Sequence, residues 1–252
     1  MATTPTTAAM PAPEPQASIS PLGRIVGVLF SPKPTYEDIA RKPTWLLPVI
    51  LLAVFGAVVA VGLNQKMNWR EYVSQQIEKN PRAAQLPADQ KERQIEAGAK
   101  FAPYTAYIFG IPAPIVIVLI IAGIMLGTYN LMAGAGVNFK TSMAIVSHAF
   151  VPVLLGNLIF LLVIFLKPPG TIDLENPVAT NLAAFLPEGV PKWLDALGKN
   201  IDVLVIWITL LIAIGFAAAS PKKLKGGKAF TIAFSMLAIW VLCRMGLAFI
   251  FS

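Results

Sequence analysis

Long apolar runs separated by short polar stretches dominate the sequence. A helix needs about 20 mostly apolar residues to cross about 30 Å of hydrocarbon at a rise of 1.5 Å per residue. Five segments reach or approach that length, at residues 45–63, 104–126, 143–166, 201–219 and 229–250. The pattern predicts an all-α membrane protein, a five-transmembrane-helix bundle with interfacial amphipathic helices.

Prolines interrupt two of the predicted spans. Pro112 and Pro114 fall within the second span, and Pro152 falls within the third. Proline removes a backbone donor and clashes with the carbonyl four residues earlier, and lipid offers no substitute hydrogen bonds. We therefore expect both spans to be kinked and packed inside the bundle, with the carbonyl of His148 left free.

Shorter helices are predicted outside the spans. Apolar residues of segment 69–77 recur at helical spacing, and a second short amphipathic helix is expected after Pro191. These helices either cap the bundle or gate a substrate. A third interfacial helix is expected before the first span, capped by Thr35 with Asp38 completing a capping box, and followed by the membrane anchor Trp45.

The first 20 residues differ from the rest of the chain. They are mostly Ala, Thr and Pro with one charged residue, Glu14, so they lack both a core and the basic start of a signal peptide. We expect a disordered tail over residues 1–20 and one membrane domain over residues 21–252.

Composition and charge agree with a bilayer environment. Hydrophobic residues make up 56% of the chain and charged residues 13%, against about 25% charged residues in soluble domains. The net charge of +7 is scattered over short loops, which favours anionic lipid headgroups over nucleic acid as a partner. Lys and Arg are nearly balanced between the two sides over the whole chain, but four lysines in the short loop 220–228 favour a cytoplasmic N-terminus.

The residue inventory removes several classes of chemistry. Cys243 and His148 are the single cysteine and the single histidine, so disulfide frameworks and Cys/His zinc sites are excluded. Nucleotide-binding loops, HExxH and Gly-x-Ser-x-Gly are absent from the sequence. A soft-metal site of His148, Cys243 and methionines is an alternative to simple packing, but the methionines do not cluster. We expect no enzyme activity, no cofactor and no metal site.

Four polar residues within the spans are candidates for function: His148, Asn157, Asp202 and Arg244. A charge at mid-span costs about 2.5 to 3.5 kcal/mol on insertion scales, so Arg244 is a functional candidate by default. Three interpretations are open for it: an ion pair with Asp202, snorkelling to the interface, or a transport or ligand role. His148 is either a hydrogen-bonded core residue, with Asn157 among its possible partners, or part of a proton relay.

Small residues recur at four-residue spacing in several spans. Gly123 and Gly127 form such a pair in the second span, and Gly56 with Ala60 forms another in the first. This spacing lets helices approach closely. The pairs predict packing within the bundle, with homodimerisation as the alternative.

Several motifs occur in an order that resembles a known family. Phe-Ser-Pro-Lys-Pro-Thr-Tyr-Glu-Asp-Ile at 30–39 and Lys-Pro-Thr-Trp-Leu-Leu-Pro at 42–48 precede the first span. Leu-Pro-Ala-Asp-Gln-Lys-Glu-Arg-Gln at 86–94 precedes the second, and segments 139–156 and 207–215 belong to the third and fourth. Together they resemble the bacterial branch of the Yip1 family over about residues 24–251.

The resemblance implies five spans, a cytosolic N-terminus and a multi-pass location in a bacterial inner membrane. Eukaryotic members are linked to Rab GTPases and vesicle trafficking, partly through an Asp-Leu-Tyr-Gly-Pro segment that this chain lacks. Ser147 and His148 also stand where the family commonly has Gly-Tyr before Pro152. We therefore expect a non-enzymatic scaffold or membrane-organising, trafficking-related factor that contacts lipid and either a second copy or other membrane proteins. The alternative is a small-solute or ion transporter or channel.

Overall fold

The computed structural model describes residues 18–80, 83, 85–168, 172, 174, 176–187, 189–225 and 227–250. Most of the predicted tail over residues 1–20 therefore lies outside the described residues. All regular elements in the described part are helical. From the N-terminus they are α1 (Pro21–Phe30), α2 (Pro32–Arg41), α3 (Leu46–Lys66), α4 (Trp69–Lys79), α5 (Ala88–Gly110), α6 (Pro112–Ala133), α7 (Phe139–Ala149), α8 (Pro152–Leu166), a 3₁₀ turn (Leu182–Phe185), α9 (Lys192–Asn200), α10 (Val203–Ala219) and α11 (Lys228–Ile250).

Among the described residues, four helical segments are long and apolar enough to cross a membrane. They are Leu46–Lys66, Pro112–Ala133, Phe139–Leu166 and Lys228–Ile250. The fourth predicted span corresponds to α10, which has 17 residues because Asp202 caps its start and Ser220 ends it. Its length of about 26 Å is below the hydrocarbon thickness. Four spans are thus supported by length and composition, and five remain a prediction.

The second predicted span, 104–126, has the wrong boundaries. The helix breaks at Ile111, and the apolar spanning helix α6 runs from Pro112 to Ala133. The prolines explain the shift, because Pro112 donates no hydrogen bond and opens a new helix as its first residue. The apolar residues from 101 to 110 instead belong to the end of α5, whose start at Ala88 is polar.

The third span is kinked, as Pro152 predicts. α7 ends at Ala149 and α8 begins at Pro152, with one distorted turn between them. The amide of Val151 donates to the carbonyl of His148 at 3.1 Å. The expectation of a free His148 carbonyl is therefore wrong, since the tighter turn supplies a donor that Pro152 lacks.

The two small-residue pairs have different surroundings. At Gly56, an added Cβ would lie 1.8 Å from the carbonyl oxygen of Gly110, so α3 and α5 cross in backbone contact. Gly123 and Gly127 have nothing within 4 Å of an added Cβ. The first pair therefore packs within the bundle, as predicted. The second pair contacts no neighbouring helix in the described chain, so the prediction that it packs within the bundle is wrong.

The main core lies where α2, α7, α6 and α10 meet. The rings of Tyr129 and Phe216 stack with centroids 4.0 Å apart, and the Tyr129 hydroxyl donates to the Ala229 carbonyl at 2.7 Å. Tyr36 from α2 is also fully buried. The short helix α2 is thus part of the core and is not a loosely attached surface element.

Candidate functional site

A buried ion pair joins the two helices that precede the first span. Nε and Nη2 of Arg24 lie 2.9 and 2.8 Å from Oδ2 of Asp38, and the two side chains are 3% and 4% exposed. Nη1 of Arg24 also donates to the Lys42 carbonyl at 2.9 Å and to Oγ1 of Thr44 at 2.7 Å. The Arg24 guanidinium thereby ties α1 to α2 and to the entry of α3. We call these four residues the N-terminal clamp.

Asp38 does not take part in the predicted capping box. Its Oδ2 instead accepts the amide of Ile19 at 3.2 Å in addition to the Arg24 donors. Ser31 precedes the first residue of α2, so Thr35 lies inside the helix and donates to the Ser31 carbonyl at 2.7 Å. The capping-box interpretation is wrong because α2 begins at Pro32, a favoured first helical residue.

Tyr36 fixes the clamped pair on the bundle. Its hydroxyl lies 3.5 Å from the carbonyl of Ile145 in α7, and its ring lies where a Cβ on Gly215 of α10 would meet it at 3.0 Å. Burial raises the pKa of the Tyr36 phenol well above its ordinary value. The residue is thus held neutral between two helices of the core.

The opposite side of α1 presents an apolar face. Leu22, Val26 and Phe30 recur at four-residue spacing and are 67%, 57% and 80% exposed, while Arg24 and Val28 of the same helix are buried. We call Leu22, Val26 and Phe30 the α1 face. The buried clamp on one side of the helix therefore determines the direction of the exposed face on the other.

His148 lies in the core of α7 and is 1% exposed. Its Nδ1 is 2.8 Å from the carbonyl of Ala144, one turn earlier. Because a carbonyl only accepts, this geometry assigns the proton to Nδ1. The proton relay stays an untested prediction.

Asp202 is held by backbone and loop contacts. Its Oδ1 accepts the amides of Leu204 and Val205 at 2.7 and 3.2 Å, which caps α10. Its Oδ2 accepts the Thr180 hydroxyl at 2.6 Å, and a backbone bridge joins it to Asn181. The polar loop before α9 thus folds back onto the start of α10.

Of the three interpretations of Arg244, the ion pair with Asp202 is not formed. Within the described chain Arg244 is exposed and forms no ion pair, and its guanidinium carbon lies 5.9 Å from the centre of the Trp240 ring. Because the two helices are antiparallel, the two residues lie at the same level of the bundle. The antiparallel arrangement does not determine the direction of their side chains. Arg244 instead covers the outer face of α11, in cation–π contact with an aromatic ring.

Two cavities adjoin α8 and share Asn157. The smaller, of about 270 Å³, is also lined by Asp202, Thr180 and Lys199. The larger, of about 420 Å³, lies among α3, α4, α5 and α8. Of the four predicted polar residues, the structure therefore brings Asn157 and Asp202 to one site and leaves His148 and Arg244 elsewhere.

The sequence reasoning missed the N-terminal clamp. The sequence pattern predicts Asp38 only as part of a capping box and predicts no contact for Arg24. A signal existed, since Arg24 is the single charged residue of the otherwise apolar helix Pro21–Phe30. Its partner Asp38 lies 14 residues later, in the next helix, so helical spacing does not predict this ion pair.

The comparisons with known proteins support one family. The Yip1 domain matches residues 26–245, which is nearly the whole chain. A search of the curated proteins finds no match, and a search of the solved structures finds none either. The match includes the apolar helices described above, so the chain is a multi-pass membrane protein in a lipid bilayer. It belongs to the Yip1 domain family.

Proposed function

We propose that this protein is a non-enzymatic scaffold that organises other membrane proteins in a bacterial inner membrane, with its N-terminus in the cytoplasm and five spans. The observation that carries the proposal is the α1 face, an apolar surface fixed in place by the buried N-terminal clamp. A membrane enzyme concentrates its polar groups at a reaction centre. Here the buried Arg24 and Asp38 are used to position a surface.

The α1 face suits a membrane-protein partner near the bilayer boundary. Its three side chains are large and apolar, and they occupy one side of a ten-residue helix. A helix of that length is too short to cross the membrane. Lipid covers such a face without any need for a fixed orientation, whereas the clamp fixes its orientation with a desolvated ion pair. That orientation supports recognition of a partner.

The orientation of the chain adds support. The loop between α10 and α11 carries Lys222, Lys223 and Lys225 close to the membrane, which favours the cytoplasmic side. Tyr36 places α2 against the C-terminal part of α10, near that same loop. The α1–α2 pair then lies on the cytoplasmic side, where soluble domains of partner proteins are accessible.

The experiment is site-specific photocrosslinking in intact cells. A photoreactive residue at Val26 should capture one reproducible membrane protein, and the Arg24→Gln variant should lose that product because the helix is no longer held. Arg93→Gln, which opens an exposed pair with Asp89, is the matched control and should keep the product.

The proposal fails if Val26 crosslinks only to lipid, or if its protein products are the same in both variants. Cysteine labelling provides the test of topology. With the native Cys243 replaced, a cysteine at Gln85 should react with an impermeant reagent from outside the cell, and one at Lys223 should not. The reverse pattern would contradict a cytoplasmic N-terminus.

A further inference from the structure

The two cavities beside α8 share part of their lining. Val153, Asn157 and Phe160 line both of them. These residues are three to four positions apart, so they form one stripe along the helix. Both cavities therefore adjoin the same stripe of α8 and lie next to each other.

The larger cavity is mostly apolar and lies between the spanning helices α3 and α8 and the neighbouring helices α4 and α5. Its walls are mostly aliphatic and aromatic side chains from α3, α5 and α8, together with Trp69 and Tyr72 from α4. Its volume of about 420 Å³ lies in the range of small-molecule sites, about 300 to 1,000 Å³. In a bilayer the abundant apolar molecule that fits such a cavity is an acyl chain. We call this the acyl cavity.

The smaller cavity has polar walls whose groups are already bonded to one another. Asn176 and Asn181 exchange amide hydrogen bonds at 2.6 and 3.3 Å. Asp202 is bonded to Thr180 and to the first amides of α10. Lys199, which also lines this space, is paired with Asp195 at 2.9 Å. Asp202 remains as the anion facing this space, which suits the ammonium end of a zwitterionic headgroup better than an anionic solute.

Asn157 is the exception. In the described part of the chain its side-chain amide has no hydrogen-bond partner. A Cβ added to Gly156 would lie 2.9 Å from Leu204, so Asn157 lies level with the first turn of α10. Its amide opens onto the cavities, because no buried polar side-chain atom in the described chain lacks a partner. It offers two donors and a carbonyl acceptor.

We propose that the two cavities bind one ester-linked zwitterionic lipid. One acyl chain fills the acyl cavity, the Asn157 amide donates to an ester carbonyl, and the headgroup lies along the wall formed by Asn176, Thr180 and Asp202. A polar solute would leave the apolar walls unsatisfied, and a hydrocarbon without an ester would leave Asn157 unsatisfied. A lipid satisfies both. This binding is independent of the α1 face.

The test uses phosphatidylethanolamine with a diazirine in its acyl chain, incorporated into liposomes with the full-length protein. We expect crosslinks concentrated in the wall of the acyl cavity, at α3 residues 52–63 and α5 residues 102–110. Val153→Trp, which fills the shared wall, should abolish them. Leu158→Trp, on the outward side of the same helix, is the control and should leave them unchanged.

Asn157→Leu separates a ligand contact from a structural role. Loss of one hydrogen bond should lower crosslinking roughly three- to tenfold, while the variant, freed of an unpaired amide, unfolds no more easily than the wild type. If Asn157→Leu instead lowered stability and left crosslinking unchanged, the asparagine would be structural and the proposed contact would be overturned.

Two further outcomes would overturn the proposal. Crosslinks spread evenly over exposed α6 and α11, unchanged by Val153→Trp, would indicate only surrounding lipid. A cysteine at Ala106 that reacts with an impermeant thiol reagent, together with solute flux through the liposomes, would show an aqueous path. That result would favour the transporter.

Discussion

Removing the carboxylate of the N-terminal clamp is the sharpest test of the architecture. In Asp38→Asn, the Arg24 guanidinium loses the charge that lies 2.8 Å away while remaining 3% exposed. It keeps the neutral acceptors of Lys42 and Thr44, so its hydrogen bonds are only partly lost. What is lost is the compensation of a buried positive charge.

The expected cost follows from that imbalance. Breaking a buried ion pair by removing one partner costs about 3 to 5 kcal/mol. Because two neutral acceptors remain on Arg24, we expect the lower end, about 3 kcal/mol, which shifts the unfolding equilibrium by roughly two orders of magnitude. The double variant Arg24→Met, Asp38→Leu removes both charges and should recover most of the loss, since an apolar pair of similar volume is often neutral.

The assay is unfolding of the purified protein in bicelles by increasing fractions of denaturing detergent, followed by circular dichroism. Arg93→Gln is the control, because its pair with Asp89 is exposed and such pairs contribute little. An Asp38→Asn midpoint equal to that of the wild type would refute the reasoning. So would a double variant that loses as much stability as the two single variants together.

Two further changes test the packing. Gly56→Ala places a methyl group against the backbone of Gly110 and should lower the free energy of unfolding by at least about 1 to 3 kcal/mol through overpacking. Gly123→Ala, the control, places its methyl group in open space and should leave the unfolding midpoint unchanged. Equal effects of the two variants would contradict the close crossing of α3 and α5. The raised pKa of Tyr36 implies that the unfolded phenol ionises first as the pH rises past about 10. The contribution of Tyr36 to stability should therefore be constant below that pH and fall above it, and Tyr36→Phe should reduce the alkaline slope in a pH series of unfolding curves.

The sequence allowed the spans to be predicted better than their ends. Hydropathy located α3, α6, the α7–α8 pair and α11, because lipid selects apolar residues irrespective of packing. It misplaced the second span by several residues, since residues 101–110 are apolar enough to extend the run while Pro112 restarts the helix. Apolar content measures how well a segment is accommodated in lipid, and helix breaks depend on backbone hydrogen bonds.

Side-chain partners were harder to predict. The level of a residue in a span follows from counting along the helix, but its direction depends on helix rotation. Asp202 and Arg244 illustrate this, since an ion pair was one interpretation of their equal level and they instead contact Thr180 and Trp240. Arg24 shows the converse, because its acceptors come from α2 and from the connection between α2 and α3, which only the tertiary fold brings to α1.

The polar side chains of this protein differ in what compensates the free energy of removing them from water. Arg24 and Asp38 are compensated by their ion pair, and His148 is compensated by a hydrogen bond to the backbone of its own helix. Arg244 is exposed and lies over an aromatic ring. Asn157 is half-buried beside two cavities without a partner in the described chain. An amide that faces a cavity without a partner from the chain has its donors and acceptor open to a ligand, so ligand binding should be sought at Asn157 before the more conspicuous charges.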